Sequence, residues 1–161
     1  MRTILFVCTG NTCRSPMAEA IARYHLDRGV LGNGADIFVA SAGLQAADGV
    51  MPAAETLTAL TELGINHNGR SKRLTAQMVR KADLVFCMTA SQQAAVRELV
   101  GDSPETIDKI VLLDPENDIE DPIGMSQEAY DSLGRRLSKL VPRRLKDVFS
   151  KASNNRSSTE V

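Results

Sequence analysis

The feature that leaves this chain the fewest folds is a strand, a short polar loop and a helix in immediate succession near its start. Ile4-Leu5-Phe6-Val7 is a continuous apolar run ending at Cys8, the pattern of a strand buried on both faces in a parallel sheet. Pro16 to Tyr24 reads as a helix, with Ser15 at the N-cap and Pro16 at the first helical position. Between them, Cys8-Thr9-Gly10-Asn11-Thr12-Cys13-Arg14 separates a cysteine and an arginine by five residues. A loop from a strand end into a helix N-terminus turns backbone N–H groups inward and adds the positive end of the helix dipole, which together make an anion site. Gly10 and Asn11 tolerate the left-handed backbone such a cradle requires. Arg14 can grip phosphate-like oxygens at two points, and Cys8 lies at the base of the cradle, where positive surroundings favour a thiolate.

With 161 residues the chain suits one domain with a sizeable core. Nineteen basic against twenty acidic residues give a net charge of −1, so no global basic field points to nucleic acid or an anionic membrane. The absence of Trp removes the usual stacking platform for single-stranded nucleic acid. No signal peptide pattern precedes Cys8, and no apolar run approaches the roughly 20 residues of a membrane span. The expectation is a soluble, cytoplasmic protein. Three cysteines, Cys8, Cys13 and Cys87, make no disulfide framework. His25 and His67 have no partners at metal-ligand spacing, so neither a metal nor a cofactor is expected.

Taken in order, Ala18, Ile21, Ala22, His25 and Leu26 recur at helical spacing and are expected to face a sheet. The stretch 29–34 breaks that helix, and 36–40 reads as a second strand running into a loop at Ser41-Ala42-Gly43 beside the Cys8 loop. Residues 51–63 read as an amphipathic helix closed by Gly64, followed by a polar, basic connection over 69–75. A short helix over 74–81 precedes a nearly all-apolar, central strand over 82–88. A helix capped by Thr89 or Ser91 ends at Val100, and 109–113 reads as the fourth strand. An acidic loop from Asp114 to Gly124 carries two Asp-Pro pairs. A last helix, capped by Ser126, carries Ala129, Leu133, Leu137, Leu140 and Val141 on one face, with an interruption or kink expected at Pro142. Residues 150–161 are polar and read as a disordered tail behind a domain of residues 1–149. Alternating strands and helices imply a single α/β domain: a four-stranded parallel sheet with helices on both faces and its ligand beyond the carboxyl ends of the strands. Cys8 lies at such an end.

At V-C-T-G-N-T-C-R-S-P-M-A-E and at Asp121-Pro122 the chain closely resembles the low-molecular-mass protein tyrosine phosphatase family, over roughly residues 2–149. The resemblance implies hydrolysis of phosphorylated protein side chains through a cysteinyl-phosphate. It makes Cys8 the nucleophile and Asp121 the acid that protonates the leaving group and then activates water. Phosphate binding falls to the loop from Thr9 through Gly10, Asn11, Thr12 and Cys13 to Arg14 and Ser15. By the same resemblance Ser15 hydrogen-bonds the thiolate, Asn11 fixes the loop with Ser41 as its partner, and Cys13 pairs with Cys8 as a protective disulfide on oxidation. Asp114-Pro115 is a competing acid, set aside because Asp121 matches the family in its distance from the last helix. Asp118 and Glu120 read as solvated loop charges, and His67 is left out of the site because its spacing departs from the family histidine.

The C-T-G-N-T-C-R loop also resembles a protein arginine phosphatase subgroup, in which threonine stands where tyrosine-directed members carry an aliphatic residue. Thr12 therefore favours phosphoarginine modestly over phosphotyrosine, with a strict phosphotyrosine phosphatase as the alternative. Ile123 and Gly124 replace the aromatic wall usual after Asp-Pro. An arsenate reductase would need a later cysteine pair to relay a disulfide, and only Cys87 follows the loop. A phosphocysteine carrier would have no use for Asp121. Partners are thus a phosphorylated protein and phosphate or another oxyanion, with no nucleic acid, no membrane and an oligomeric state the sequence leaves open.

Overall fold

The computed structural model describes residues 1–33 and 35–157. Among them four strands form one sheet: β1 (Arg2–Cys8), β2 (Ile37–Gly43), β3 (Leu84–Cys87) and β4 (Ile110–Leu112). Their order is β2-β1-β3-β4, and every pair is parallel. The helices are α1 (Arg14–Asp27), α2 (Ala54–Glu62), α3 (Ala76–Lys81), α4 (Ala90–Val100), α5 (Pro104–Ile107) and α6 (Gln127–Ser157).

Side chains that alternate along a strand go to opposite faces of the sheet, and β1 divides the core in two by this rule. Ile4, Phe6 and Cys8 enter a large cluster with Met17 and Ile21 of α1, Leu60 of α2 and Leu137, Leu140 and Leu145 of α6. Leu5 and Val7 enter a second cluster with Val79 of α3 and Val96 and Val100 of α4. Burial on both faces explains why β1 and β3 read as unbroken apolar runs, and it places them at the centre of the sheet.

Several local expectations are corrected. Helix α1 starts at Arg14 with Cys13 at its N-cap, so Ser15 lies inside the first turn and its hydroxyl is free for other work. Ser41 to Gly43 belong to β2, paired with Phe6 to Cys8, instead of starting a loop. Close packing forces a glycine there: a Cβ on Gly43 would stand 2.6 Å from the Thr9 carbonyl oxygen. Helix α2 is shorter than its amphipathic pattern, starting at Ala54. Thr89 is the cap of α4, in a capping box with Gln92. The short helix α5, begun by Pro104, was too brief to leave a periodic signal. Helix α6 runs through Pro142 without interruption, because Val141 and Leu145, both buried, hold the turns on either side against the core. Its backbone continues to Ser157, into the stretch read as a tail, while 158–161 lie outside the described residues. No helix among the described residues is long and apolar enough to cross a membrane.

Candidate active site

The loop after β1 closes around Cys8. Its Sγ accepts the Asn11 N–H at 3.2 Å and lies 2.9 Å from Ser15 Oγ. Asn11 adopts φ 57°, the only non-glycine residue with positive φ among those described, and this left-handed step turns its N–H back to the sulfur. The strain is held by its side chain. Asn11 Nδ2 donates to Ser15 Oγ at 2.8 Å and to Ser41 Oγ at 2.9 Å, while Oδ1 accepts the Lys72 N–H at 2.9 Å. Asn11 and its three partners therefore join the loop to α1, β2 and the connection before α3. A buried amide with all these groups satisfied fixes one loop geometry.

Arg14, at the N-terminus of α1, is 5 % exposed. Its Nη1 donates to the Ile119 carbonyl at 2.9 Å, and Nη2 lies 3.4 Å from Asp121 Oδ2. The acidic loop thus orients the guanidinium at the head of the cradle. Asp121 keeps a 40 % exposed carboxylate, anchored by the Ile123 N–H on Oδ1. Asp114 is differently placed. Its Oδ1 accepts the Glu116 and Asn117 N–H groups, and its Oδ2 accepts from Arg136 at 2.8 Å. Burial alone would raise the Asp114 carboxyl, but the Arg136 hydrogen bond, the two backbone donors and the Arg136 charge hold it below its ordinary value. It is a turn anchor, committed on both oxygens.

Asp118 is exposed, as read, and its Oδ1 also accepts the Ala90 N–H at 2.9 Å in the first turn of α4. Glu120 is exposed. His67 is carried to Glu19 rather than to Cys8, with Nδ1 3.5 Å from Glu19 Oε2 and its side chain buried. Burial first, then the charges of Arg23 and Lys72, lower its proton affinity against the raising effect of Glu19. Cys87 lies in β3 with its thiol pushed up to about 12 by burial, which leaves it inert as a relay thiol.

Four contributors escaped the sequence. The Ile119 carbonyl and the Lys72 N–H are backbone groups, invisible to side-chain motifs. Gln92, which donates to Thr9 Oγ1 at 3.0 Å, was visible only as the third residue of a capping box. Tyr130 approaches Cys13 Sγ at 3.6 Å, a contact made across 117 positions. Among the described residues no three His, Cys, Asp or Glu side chains are grouped to hold a metal.

This arrangement gathers a thiol at the base of an anion cradle, a clamped guanidinium and a carboxylate beside it, all on one parallel α/β frame. Residues 3–154 match the sequence profile of the low molecular weight phosphotyrosine protein phosphatases. The chain belongs to that family. It is a cysteine-dependent protein phosphatase, and family members act on phosphorylated proteins. Among its relatives is a protein-arginine-phosphatase of Bacillus subtilis, 35% identical over 86% of this chain and 91% of that one. The tyrosine phosphatase Wzb of Salmonella typhi is 33% identical over 81% of this chain and 83% of its own length. In solved structures, the YwlE arginine phosphatase from Geobacillus stearothermophilus superposes with a TM-score of 0.81 at 32% identity, covering 96% of this chain and 97% of that one. The family thus includes both phosphoarginine- and phosphotyrosine-directed relatives of this phosphatase.

Proposed function

We propose that this phosphatase hydrolyses phosphoarginine side chains in preference to phosphotyrosine, using Cys8 as nucleophile and Asp121 as acid and base. The Cys8 thiolate attacks phosphorus in line, and the bond to the arginine nitrogen breaks as Asp121 delivers a proton to it. Amides of the loop from Thr9 to Ser15 and the Arg14 guanidinium stabilise the charge on the equatorial oxygens. Asp121, now a carboxylate, takes a proton from water as that water attacks the phosphocysteine. Phosphate leaves and the thiolate returns.

The two contacts on Cys8 Sγ support its part, and the exposed Asp121 carboxylate beside Arg14 supports the acid's. Asp114, with both oxygens taken, is a poor rival. A cytoplasmic setting, where phosphorylated protein side chains are found and thiols stay reduced, belongs to the same reading.

The observation that carries the preference is the half-buried hydroxyl of Thr12 in the cradle. A hydroxyl can satisfy a polar guanidine at the scissile bond, whereas an aliphatic side chain leaves it desolvated and unpaired. Ile123, 66 % exposed on the acid loop, offers no aromatic face to a tyrosyl ring. The test is kcat/KM on matched phosphoarginine and phosphotyrosine peptides. Thr12→Ile should lower the first by about tenfold while sparing or raising the second; a parallel change in both returns the enzyme to the plain tyrosine phosphatases.

A further inference from the structure

The Cys13 thiol has no part in the phosphoryl transfer above, yet it stands between two hydroxyls. Thr12 Oγ1 is 3.7 Å from Cys13 Sγ on one side, and Tyr130 OH is 3.6 Å away on the other. Cys13 and Tyr130 are buried, at 5 % and 3 % exposure. Only Thr12 reaches solvent, so the row opens outward at Thr12 alone.

A thiol carries one proton, so as the middle of a row it donates to one neighbour and accepts from the other. The Tyr130 end decides the direction. Tyr130 OH is buried and Cys13 Sγ is its only hydrogen-bond neighbour among the described residues, so the phenol's proton is donated to Sγ. The Cys13 S–H is then turned to Thr12 Oγ1. That occupies one lone pair of the Thr12 hydroxyl and leaves the other free to accept from outside the row.

We propose that Tyr130 is a specificity-determining positioning residue that, through Cys13, orients the Thr12 hydroxyl so that its free lone pair accepts a guanidinium N–H of a phosphoguanidine substrate. The inference rests on the reading of Thr12 as the residue that favours phosphoarginine. As the N–P bond lengthens, the lone pair that grows on the leaving nitrogen takes its proton from Asp121, so the Thr12 hydroxyl holds the guanidinium through its N–H groups instead. The remaining lone pair of Thr12 can take a guanidinium N–H. A hydroxyl already oriented costs no reorganisation at the moment of reaction. An aryl ester gains nothing from it, because it has no N–H to offer that lone pair.

Tyr130→Phe removes one oxygen and keeps the ring in the core, which makes it the decisive variant. It is assayed with Thr12→Ile, the double variant and Cys13→Ala on matched phosphoarginine and phosphotyrosine peptides. Tyr130→Phe and Cys13→Ala should each lower the ratio of kcat/KM for phosphoarginine over phosphotyrosine by about fivefold, the loss of one oriented hydrogen bond. Tyr130→Phe should add nothing to the ratio in the Thr12→Ile background. If Thr12→Ile lowers the ratio and Tyr130→Phe leaves it unchanged or depresses both substrates equally, the row is overturned and the Thr12 reading stands. If Thr12→Ile itself leaves the ratio unchanged, the Thr12 reading fails and the row falls with it.

Discussion

Arg14 Nη2 stands 3.4 Å from Asp121 Oδ2, so the side chain proposed to grip the phosphoryl group also reaches the proposed acid. Asp121→Asn should keep this neighbourhood and lose the proton. Turnover of poor leaving groups is expected to fall about 10²- to 10³-fold, and that of a nitrophenyl ester much less, since nitrophenolate departs without protonation. Equal losses on both ester types would remove Asp121 from the acid's role.

Asp114 should separate stability from chemistry. Its carboxylate anchors the same loop through Arg136 and two N–H groups, so Asp114→Asn is expected to lower the melting temperature at pH 7 with little change in kcat. Its folded pKa lies below the ordinary 3.8. The stabilisation is therefore present above that pH and is lost as pH falls through the folded value. The Tm difference between wild type and variant should shrink toward acid, and a constant difference would count against the carboxylate as its source.

Asn11 offers two distinct losses. Asn11→Gly keeps the left-handed backbone freely but deletes the bonds to Ser15, Ser41 and Lys72. Asn11→Ala deletes the bonds and strains the backbone as well. Both should lose at least about tenfold in kcat/KM through a disordered cradle, with Asn11→Ala the less stable. Wild-type activity in Asn11→Gly would mean that only the backbone angle matters.

His67 makes the fold acid-sensitive. Burial holds its pKa below the ordinary 6.5, so the unfolded chain binds the proton more readily than the native one. Stability is complete above that value and declines as pH falls from about 6.5 through the folded pKa. His67→Gln should reduce the fall in Tm between pH 7.5 and 5.5, measured by calorimetry; an unchanged fall would assign the acid sensitivity elsewhere.

Oxidation tests the second cysteine of the loop. A sulfenic acid formed on Cys8 could be trapped by Cys13 as a disulfide, with water as the other product. Peroxide inactivation should then be reversed by dithiothreitol in wild type and become largely irreversible in Cys13→Ala. Equal recovery in both proteins would exclude Cys13 as the resolving thiol.

The sequence by itself determined the frame: a buried strand into Cys8, glycine and asparagine where the loop turns, and alternating strands and helices fix a parallel sheet with the cradle at its carboxyl edge. Those signals are local, set by backbone freedom and by apolar period within ten or so residues. Tertiary structure decided what each polar group does. Ser15 reads as a cap from its neighbours alone, but with Cys13 at the cap its hydroxyl turns to Cys8 and Asn11. Asp114 and Asp121 look alike as Asp-Pro pairs, and only Arg136 on α6 and Arg14 on α1 separate the turn anchor from the proposed acid. The same holds for Tyr130, brought to Cys13 by the packing of α6 on α1. Such pairings depend on distances across the core, where burial leaves a polar group bound to whichever partner the packing supplies.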